Sequence, residues 1–445
     1  MTTLKENITN TIKLAMPVAI GQVGIMMMGV VDSLMVGRIG AFSLAAAALG
    51  NSLSMIIFII GIGISFAVTP LVAISLGAKR NYECGVYFRQ SLIVNLCASV
   101  VICAIIVLIA FLIKYMGEPV HVAAQAPSYT IILGVSVIPL MIFQTYKQFI
   151  EGFSVMKPAM IITLAANIIN AAVNYLLIYG SFGFPRLELD GAGWATFASR
   201  VFMAIVMMYY VMASKRFKDF DVNFHFKKID MGIIRKILGL GLPSGFQYFF
   251  EVGAFAFAVI MIGWLGAKPL AAHQIAINLA SISYMAVLGI SSAGAILVGN
   301  AVGMENVKEI RKAGFTAILL GASFMTLTGI IFISFRNFLP RLYINDSEVI
   351  SIASSLLIIA ALFQIFDGIQ GVGIGILRGL TDVKIPTAIT FIAYWMLGLP
   401  IAYVLGLYFK LGVQGVWVGL SIGLAASAVM LTFRFNRRSK QRISI

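Results

Sequence analysis

Three carboxylates interrupt long apolar segments of this 445-residue chain: Asp32 in GVVDSLMVGR, Glu251 in SGFQYFFEVG and Asp367 in ALFQIFDGIQ. No lysine or arginine lies within four residues of Glu251 or Asp367. Three unpaired carboxylates inside membrane helices would together cost about 8–10 kcal/mol on insertion scales. They must therefore be protonated, face a wet cavity or hold a cation. Each option indicates ion or proton coupling; the alternative is a structural role, with hydroxyl and amide neighbours satisfying the acids.

A polar series stands beside these acids in the first half of the chain. It consists of Asn167, Asn170 and Asn174 in NIINAAVNY, followed by Thr196 in GAGWATF. Asn170 and Asn174 are four residues apart and share one face of a helix. Amide and hydroxyl oxygens with a carboxylate form a site for a hard cation such as sodium. Hydrogen bonding between helices in lipid explains the asparagines equally well, so both interpretations stay open.

Aromatic residues surround Glu251 and precede Asp367. We expect most of them to pack against lipid or neighbouring helices. Those that face a cavity would bind an organic cation through cation–π contacts. The candidates for lining a substrate site are Tyr248, Phe255, Phe363 and Phe366.

The composition indicates an all-α polytopic membrane protein. Hydrophobic residues make up 60% of the chain and charged residues only 11%, whereas soluble domains carry about 25% charged residues. Long charge-free windows are each able to cross the bilayer as a helix. We predict twelve spans, at 14–36, 45–76, 90–113, 124–146, 158–180, 191–214, 237–263, 270–300, 313–335, 350–377, 386–408 and 412–433.

The net charge of +15 follows the predicted topology. The termini and even-numbered loops hold 24 lysines and arginines, and the odd-numbered loops hold 7. Cytoplasmic loops collect these residues, so both termini should face the cytoplasm. The basic charge therefore orients the chain in a membrane, and we expect no nucleic-acid partner.

The chain contains an internal duplication. A shift of 226 positions matches Leu14–Gly77 to Leu240–Gly303 with 18 identities in 64 positions, where chance would give roughly 5 or 6. We predict two homologous six-helix lobes, 1–213 and 237–445, joined by a cytoplasmic linker at 214–236. Such halves are typical of transporters with a substrate site between two lobes. The shift places Asp32 opposite Ala258, so the acids belong to individual lobes and the lobes should have different roles.

Other protein classes lack support in the sequence. There is no G-x-x-x-x-G-K-[ST] phosphate loop and no H-E-x-x-H metal motif, so we expect neither an ATPase nor an enzyme. We expect no cofactor beyond a coupling ion, Na⁺ or H⁺. One alternative is a flippase for a lipid-linked saccharide on the same general scaffold. That function favours a cationic central cavity, whereas the acids within these spans are the more prominent charges.

Several segments resemble the multidrug and toxic compound extrusion (MATE) family, and most closely its NorM-like bacterial branch. They are MPVAIGQVGIMMMGVVDSLMVG, QYFFE, AAHQI, EGF with the following KP, and NIINAAVNY. The resemblance covers essentially the whole chain. It implies two six-helix bundles forming a V that export cationic, amphipathic drugs in exchange for sodium or protons. It also implies a multi-pass protein of the bacterial cytoplasmic (inner) membrane, which we expect to be monomeric.

The resemblance also assigns roles to individual residues. Glu251 and Asp367 match the acids of the second lobe that hold sodium or drug, and Asp32 matches the acid of the first lobe. The remaining matches, all in the cation site of the first lobe, are Asn170, Asn174, Ala192 and Thr196. Some relatives have an acid at the Asn174 position, so the ion preference stays open. We predict Na⁺ at Glu251 and Asp367, or at Asp32 with Asn170, Asn174 and Thr196.

Overall fold

The computed structural model describes residues 3–222 and 229–441, and these ranges are helical without a β-strand. Twelve helices are long and apolar enough to cross a membrane, which confirms the predicted number and order of spans. They are α1 Leu4–Gly37, α2 Ala41–Gly77, α3 Asn81–Tyr115, α4 Val120–Gly152, α5 Lys157–Tyr179, α6 Glu188–Ala213, α7 Met231–Gly263, α8 Ala267–Gly303, α9 Val307–Ser334, α10 Ser347–Gly379, α11 Lys384–Tyr408 and α12 Gly412–Arg438.

Two of these helices are irregular. In α2 the regular α-helix ends at Ser65 and resumes at Val68. In α11, π-helical turns occupy Ile392–Gly398 and Val404–Tyr408. Because π-turns insert an extra residue per turn, they rotate the side chains that follow and often mark functional positions.

The duplication is visible in the backbone as well as in the sequence. Lys79 and Glu305 are 226 positions apart, and both have positive φ, 58° and 53°. Gly266, which has a φ of 115°, precedes α8 at the position equivalent to Gly40 before α2. A side chain would be strained at the φ of Gly266, which explains the glycine there.

The chain packs as two compact units. One consists of residues 20–245; the other combines residues 1–19 with residues 246–445. The boundaries at 19 and 245 are again 226 positions apart and follow Pro17 and Pro243, which lie inside α1 and α7. The first turns of α1, up to residue 19, therefore belong to the unit with residues 246–445, while the rest of α1 belongs to unit 20–245. The first turns of α7, up to residue 245, belong to unit 20–245, while the rest of α7 belongs to the other unit. In this respect the two packing units differ from the predicted lobes, 1–213 and 237–445.

Close helix crossings hold the first turns of α1 and α7, residues 4–19 and 231–245, in their units. A Cβ atom on Gly63 of α2 would collide with the Gly245 backbone of α7. At the equivalent position, a Cβ atom on Gly289 of α8 would collide with the carbonyl oxygen of Ala15 in α1. Small residues allow helices to approach this closely in lipid. The same contact thus occurs once in each unit.

The core of unit 20–245 is aromatic. Phe149 contacts Phe88 at a ring distance of 4.5 Å and Phe153 at 5.0 Å. Phe217, in the 3₁₀ helix Lys215–Phe220, inserts beside Phe149 at 5.7 Å and is fully buried. The first part of the predicted linker is thus anchored to this unit, while residues 223–228 lie outside the described ranges.

Candidate functional site

Asp32 lies in α1 and contacts side chains from two other helices of unit 20–245. The Asn174 amide of α5 donates to Asp32 Oδ1 at 2.5 Å, and the Thr196 hydroxyl of α6 donates to Oδ2 at 3.2 Å. Asn174 and Thr196 are buried, and Asp32 is half-buried. The structure therefore brings Asp32 together with partners that lie 142 and 164 positions later in the chain.

Asn170 completes this cluster from the turn below Asn174. The Asn174 amide also donates to Asn170 Oδ1 at 3.1 Å. Asn174 Oδ1 remains buried without a hydrogen-bond partner. An amide group can present either its oxygen or its nitrogen. Rotation of the Asn174 amide would therefore turn the Asn174 oxygen toward a cation bound at Asp32. With the Asn170 and Thr196 oxygens, the cluster then presents the oxygen ligands that a hard cation requires.

The surroundings of this cluster differ on the two sides of Thr196 along α6. Ala192, one turn earlier on α6, is buried in an apolar cluster that includes Tyr129. Arg200, one turn later, donates to Ser136 at 2.7 Å and lies over the Phe58 ring at 5.6 Å. The Asp32 cluster thus lies between an apolar layer and a guanidinium group. Arg200 carries a charge inside a membrane helix, a signal that sequence reasoning did not use.

Glu251 forms the centre of a second polar cluster, in the unit that contains residues 246–445. Tyr284 of α8 donates to Glu251 Oε1 at 3.2 Å. Gln247 and Gln370 approach Oε2 at 3.4 and 3.5 Å. The Glu251 side chain is 6% exposed. Three neutral donors therefore surround a carboxylate that is almost completely removed from solvent.

Asp367 lies beside this cluster on α10, and its charge interacts with that of Glu251. It is 7% exposed, and within the described ranges it forms neither a hydrogen bond nor a salt bridge. Tyr394, on a π-turn of α11, interacts electrostatically with both acids, and its hydroxyl has no hydrogen-bond partner. Two neighbouring buried carboxylates repel each other unless a proton or a cation accompanies them. The Glu251 and Asp367 pair can therefore hold a proton or a cation.

Three of the four aromatic candidates share one apolar cluster, which contains Phe363 and against which Phe255 and Phe366 pack. Phe363 is 2% exposed and packs on Trp417 at 5.4 Å, inside the apolar core. Phe255 is half-buried and lies 5.8 Å from the Tyr394 ring. Tyr248 is half-buried and interacts electrostatically with Glu251. Phe366 lines a separate apolar cavity. Tyr248 thus interacts with an acid, whereas Phe255, Phe363 and Phe366 pack in or against the apolar core.

Several residues of the second cluster were missed in the sequence. The spacing of Gln247 and Gln370 was a usable signal. Gln247 is four residues before Glu251 and shares its helix face, and Gln370 is three residues after Asp367 and shares its helix face. Tyr284 and Tyr394 carried none, because they come from other helices and Tyr394 depends on a π-turn. In the described residues no group of three His, Cys, Asp or Glu side chains is placed to hold a metal ion. A sodium site here would therefore need amide and hydroxyl ligands.

Family comparison matches both halves of the chain. The MatE family model matches residues 17–176 and 243–404, and the two matches begin 226 positions apart. The multidrug resistance protein MdtK of Yersinia pseudotuberculosis serotype O:1b (strain IP 31758) is 36% identical over 435 residues. That alignment covers 96% of this chain and 95% of the relative. The relationship therefore extends over essentially the whole sequence.

Solved structures share the fold. A crystal structure of MATE in the bent conformation has a TM-score of 0.89 and 21% identity, covering 100% of this chain and 98% of that one. The eukaryotic MATE transporter AtDTX14 has a TM-score of 0.87 and 21% identity, with 98% of each chain covered. A MOP superfamily transporter from Pyrococcus furiosus, described as having a binding pocket of reverse polarity, has a TM-score of 0.88 and 21% identity, covering 99% and 97%. The chain therefore belongs to the MatE family of transporters, is a multi-pass membrane protein and is not an enzyme.

Proposed function

We propose that this transporter exports cationic, amphipathic compounds across a bacterial inner membrane in exchange for Na⁺ or H⁺, by alternating access. The relative from Yersinia bears the name of a multidrug resistance protein, which supports drugs as substrates. One observation supports the coupling: in each unit, the hydrogen bonds to a carboxylate inside the spans come from neutral side chains. In the described ranges, none of the seven salt bridges includes Asp32, Glu251 or Asp367.

The Asp32 cluster is the proposed coupling site of unit 20–245. Asp32 supplies the negative charge, Thr196 and Asn170 supply neutral oxygens, and the Asn174 amide rotates when a cation enters. The Asn174 oxygen supports this role, because it is a buried polar atom without a hydrogen-bond partner and an amide oxygen can bind a cation. Such atoms cost about 1–3 kcal/mol each. Ion binding would relieve part of that cost.

The Glu251 and Asp367 pair is the second proposed site. Mutual repulsion at low exposure makes this pair bind a proton or a cation strongly, and a cationic drug competes for the same charge. Tyr248 and Phe255 lie near the acids and supply aromatic faces for a cationic ring system. Drug and ion need not share one site. Each must bind the inward- and outward-facing states with different affinity for transport to occur.

Acidic clusters argue against the flippase alternative. A lipid-linked saccharide carries a pyrophosphate group, which requires positively charged donors. The proposed sites present carboxylates that accept hydrogen bonds from neutral donors instead. Arg200 interacts electrostatically with Asp32, but its hydrogen bond goes to Ser136. Arg378 interacts electrostatically with Glu251, but it accompanies two acids in the same region. A substrate of positive charge therefore fits these clusters better.

Transport by the purified chain in lipid vesicles tests the proposal. Ethidium efflux would be followed under an imposed inward Na⁺ gradient, under an inward proton gradient and with no gradient. The proposal expects at least one gradient to accelerate efflux severalfold. The same rate under all three conditions would contradict cation coupling. Transport of a lipid-linked pyrophosphate analogue, but not of ethidium, would favour the flippase instead.

A further inference from the structure

An apolar cavity of about 430 Å³ lies on the unit that contains residues 246–445, and Glu251 and Asp367 are not among its lining residues. Residues of α10 and α12 line it, together with Phe315 of α9. Val429 and Phe433 line it and are 66% and 68% exposed, so the cavity opens at the helix surface. The other lining residues are Phe366, Ile369, Ala428, Thr432 and Asn436.

The end of the cavity near Asn436 is polar. Arg311 of α9 donates to the carbonyl oxygen of Asn436 at 3.2 Å and to its Oδ1 at 3.0 Å. The same guanidinium lies over the Phe315 ring at 5.3 Å. Thr432 lines the cavity, and its hydroxyl oxygen is buried without a hydrogen-bond partner. The cavity thus joins an apolar wall to a rim that offers positive charge.

Positive charge predominates at this rim. Arg434 and Arg438 share a single acid, Asp382, at 2.7 and 3.5 Å. Arg437, between them, is exposed. The first turns of α9 and the last turns of α12, with Asp382, carry six basic residues against two acids: Lys308, Arg311, Lys312, Arg434, Arg437 and Arg438 against Glu309 and Asp382. By the distribution of lysine and arginine, these helix ends belong to the cytoplasmic side.

We propose that this cavity binds an anionic phospholipid of the cytoplasmic leaflet. One acyl chain occupies the space between α10 and α12, and the phosphate contacts Arg311 and Arg437. Basic pockets between helices on the cytoplasmic side are suited to anionic head groups. An apolar wall beside such a pocket fits an acyl chain and is a poor match for a free inorganic anion. The charge complementarity also excludes a cationic drug as the occupant.

The lipid would contact the helix that carries one of the buried acids. Phe366 faces the acyl chain, and Asp367, the next residue of α10, belongs to the acid cluster. Glycines at 368, 371, 373, 375 and 379 follow on the same helix. Acyl-chain packing at Phe366 therefore constrains the part of α10 that positions Asp367. This role is independent of the ion that the acids bind.

Native mass spectrometry of the full chain in detergent tests the site. Dioleoyl phosphatidylglycerol would be compared with dioleoyl phosphatidylcholine, which has the same acyl chains. The wild-type protein should retain the anionic lipid preferentially. Arg437→Gln and Arg311→Gln should each weaken that preference about fivefold. Arg341→Gln, an exposed arginine beyond the other end of α9, is the matched control and should leave it unchanged.

A cavity-filling variant tests the acyl-chain part of the site. Val429→Trp replaces an exposed side chain on the cavity wall and should reduce retention of both lipids. Arg437 is exposed and the structure gives it no partner in the described residues, so loss of folding does not obscure its variant. Equal retention of the two lipids by the wild type would overturn the proposal. An Arg437→Gln variant with unchanged preference, or competition by inorganic phosphate alone, would also overturn it.

Discussion

The Asn174 amide reaches Asp32 Oδ1 at 2.5 Å across 142 positions of sequence, and the same nitrogen donates to Asn170 Oδ1 at 3.1 Å. One amide group thus bridges the acid and a second asparagine. Its own oxygen has no partner. This pairing places neutral donors directly on the carboxylate, whereas Arg200, which donates to Ser136, acts on Asp32 only through space. In the proposed mechanism the Asp32 carboxylate also binds a mobile cation.

Replacing Asp32 by its amide should reduce gradient-driven ethidium efflux at least tenfold. Asp32→Asn keeps the shape of the side chain and its acceptor for Thr196, so the fold should persist. What it removes is the charge that attracts the ion. Efflux from vesicles, normalised to reconstituted protein, measures the effect. Glu188→Gln removes an exposed acid at the start of α6 and should transport normally; a normal Asp32→Asn variant would contradict the role of the acid.

Asn174→Asp should make transport depend more strongly on protons than on sodium. The new carboxylate would lie in hydrogen-bond distance of Asp32, and two carboxylates at that separation hold one proton between them. The ratio of efflux under a proton gradient to efflux under a sodium gradient should therefore rise severalfold. Asn167→Asp adds the same charge near Gly24, to which Asn167 donates at 2.8 Å. If both variants changed the ratio equally, proximity to Asp32 would not be the cause.

Glu251 and Asp367 should behave as one functional unit. Their charges interact, so removing either one changes the ion affinity of the other. Glu251→Gln and Asp367→Asn should each impair efflux at least tenfold, and the double variant should be little worse than the more impaired single variant. A double-mutant cycle on efflux rates measures this coupling. Effects that simply multiply would indicate two independent sites.

Gly63→Ala should destabilise the protein by about 1–3 kcal/mol, as overpacking does in tightly packed cores. The added Cβ meets the Gly245 backbone, which cannot move aside as a side chain can. Gly29→Ala is the control, because nothing lies within 4 Å of a Cβ at that position. Thermal unfolding in detergent compares the two variants. Equal midpoints would show that the crossing of α2 and α7 tolerates more separation than the structure indicates.

Hydropathy and self-similarity predicted the architecture because both are properties of long segments. Twelve apolar segments required twelve helices, and the 226-residue repeat required two related halves. The repeat does not reveal which helix ends pack together. The exchange of residues 1–19 and 231–245 between the units depends on close contacts at Gly63 and Gly289, which the hydropathy pattern does not encode.

The acids were visible in the sequence because charge in an apolar helix is conspicuous, but their partners were only partly so. Asn170 and Asn174 share a helix face and could be grouped by spacing. Tyr284 reaches Glu251 from another helix, and the position of Tyr394 depends on a π-turn that spacing does not predict. Phe363 shows a second limit of spacing, since this aromatic residue four positions before Asp367 packs on Trp417 in the apolar core.

Simultaneous measurement of cation entry and drug exit tests cation–drug exchange most directly. Vesicles containing the purified chain would be loaded with ethidium, and entry of radioactive Na⁺, or of protons reported by a pH-sensitive dye, would be recorded as ethidium leaves. We predict that internal ethidium accelerates entry of one of the two ions severalfold. The variant with Asp32→Asn, Glu251→Gln and Asp367→Asn should lose this acceleration. Entry of both ions at a rate independent of ethidium, or unchanged exchange in the triple variant, would contradict the mechanism.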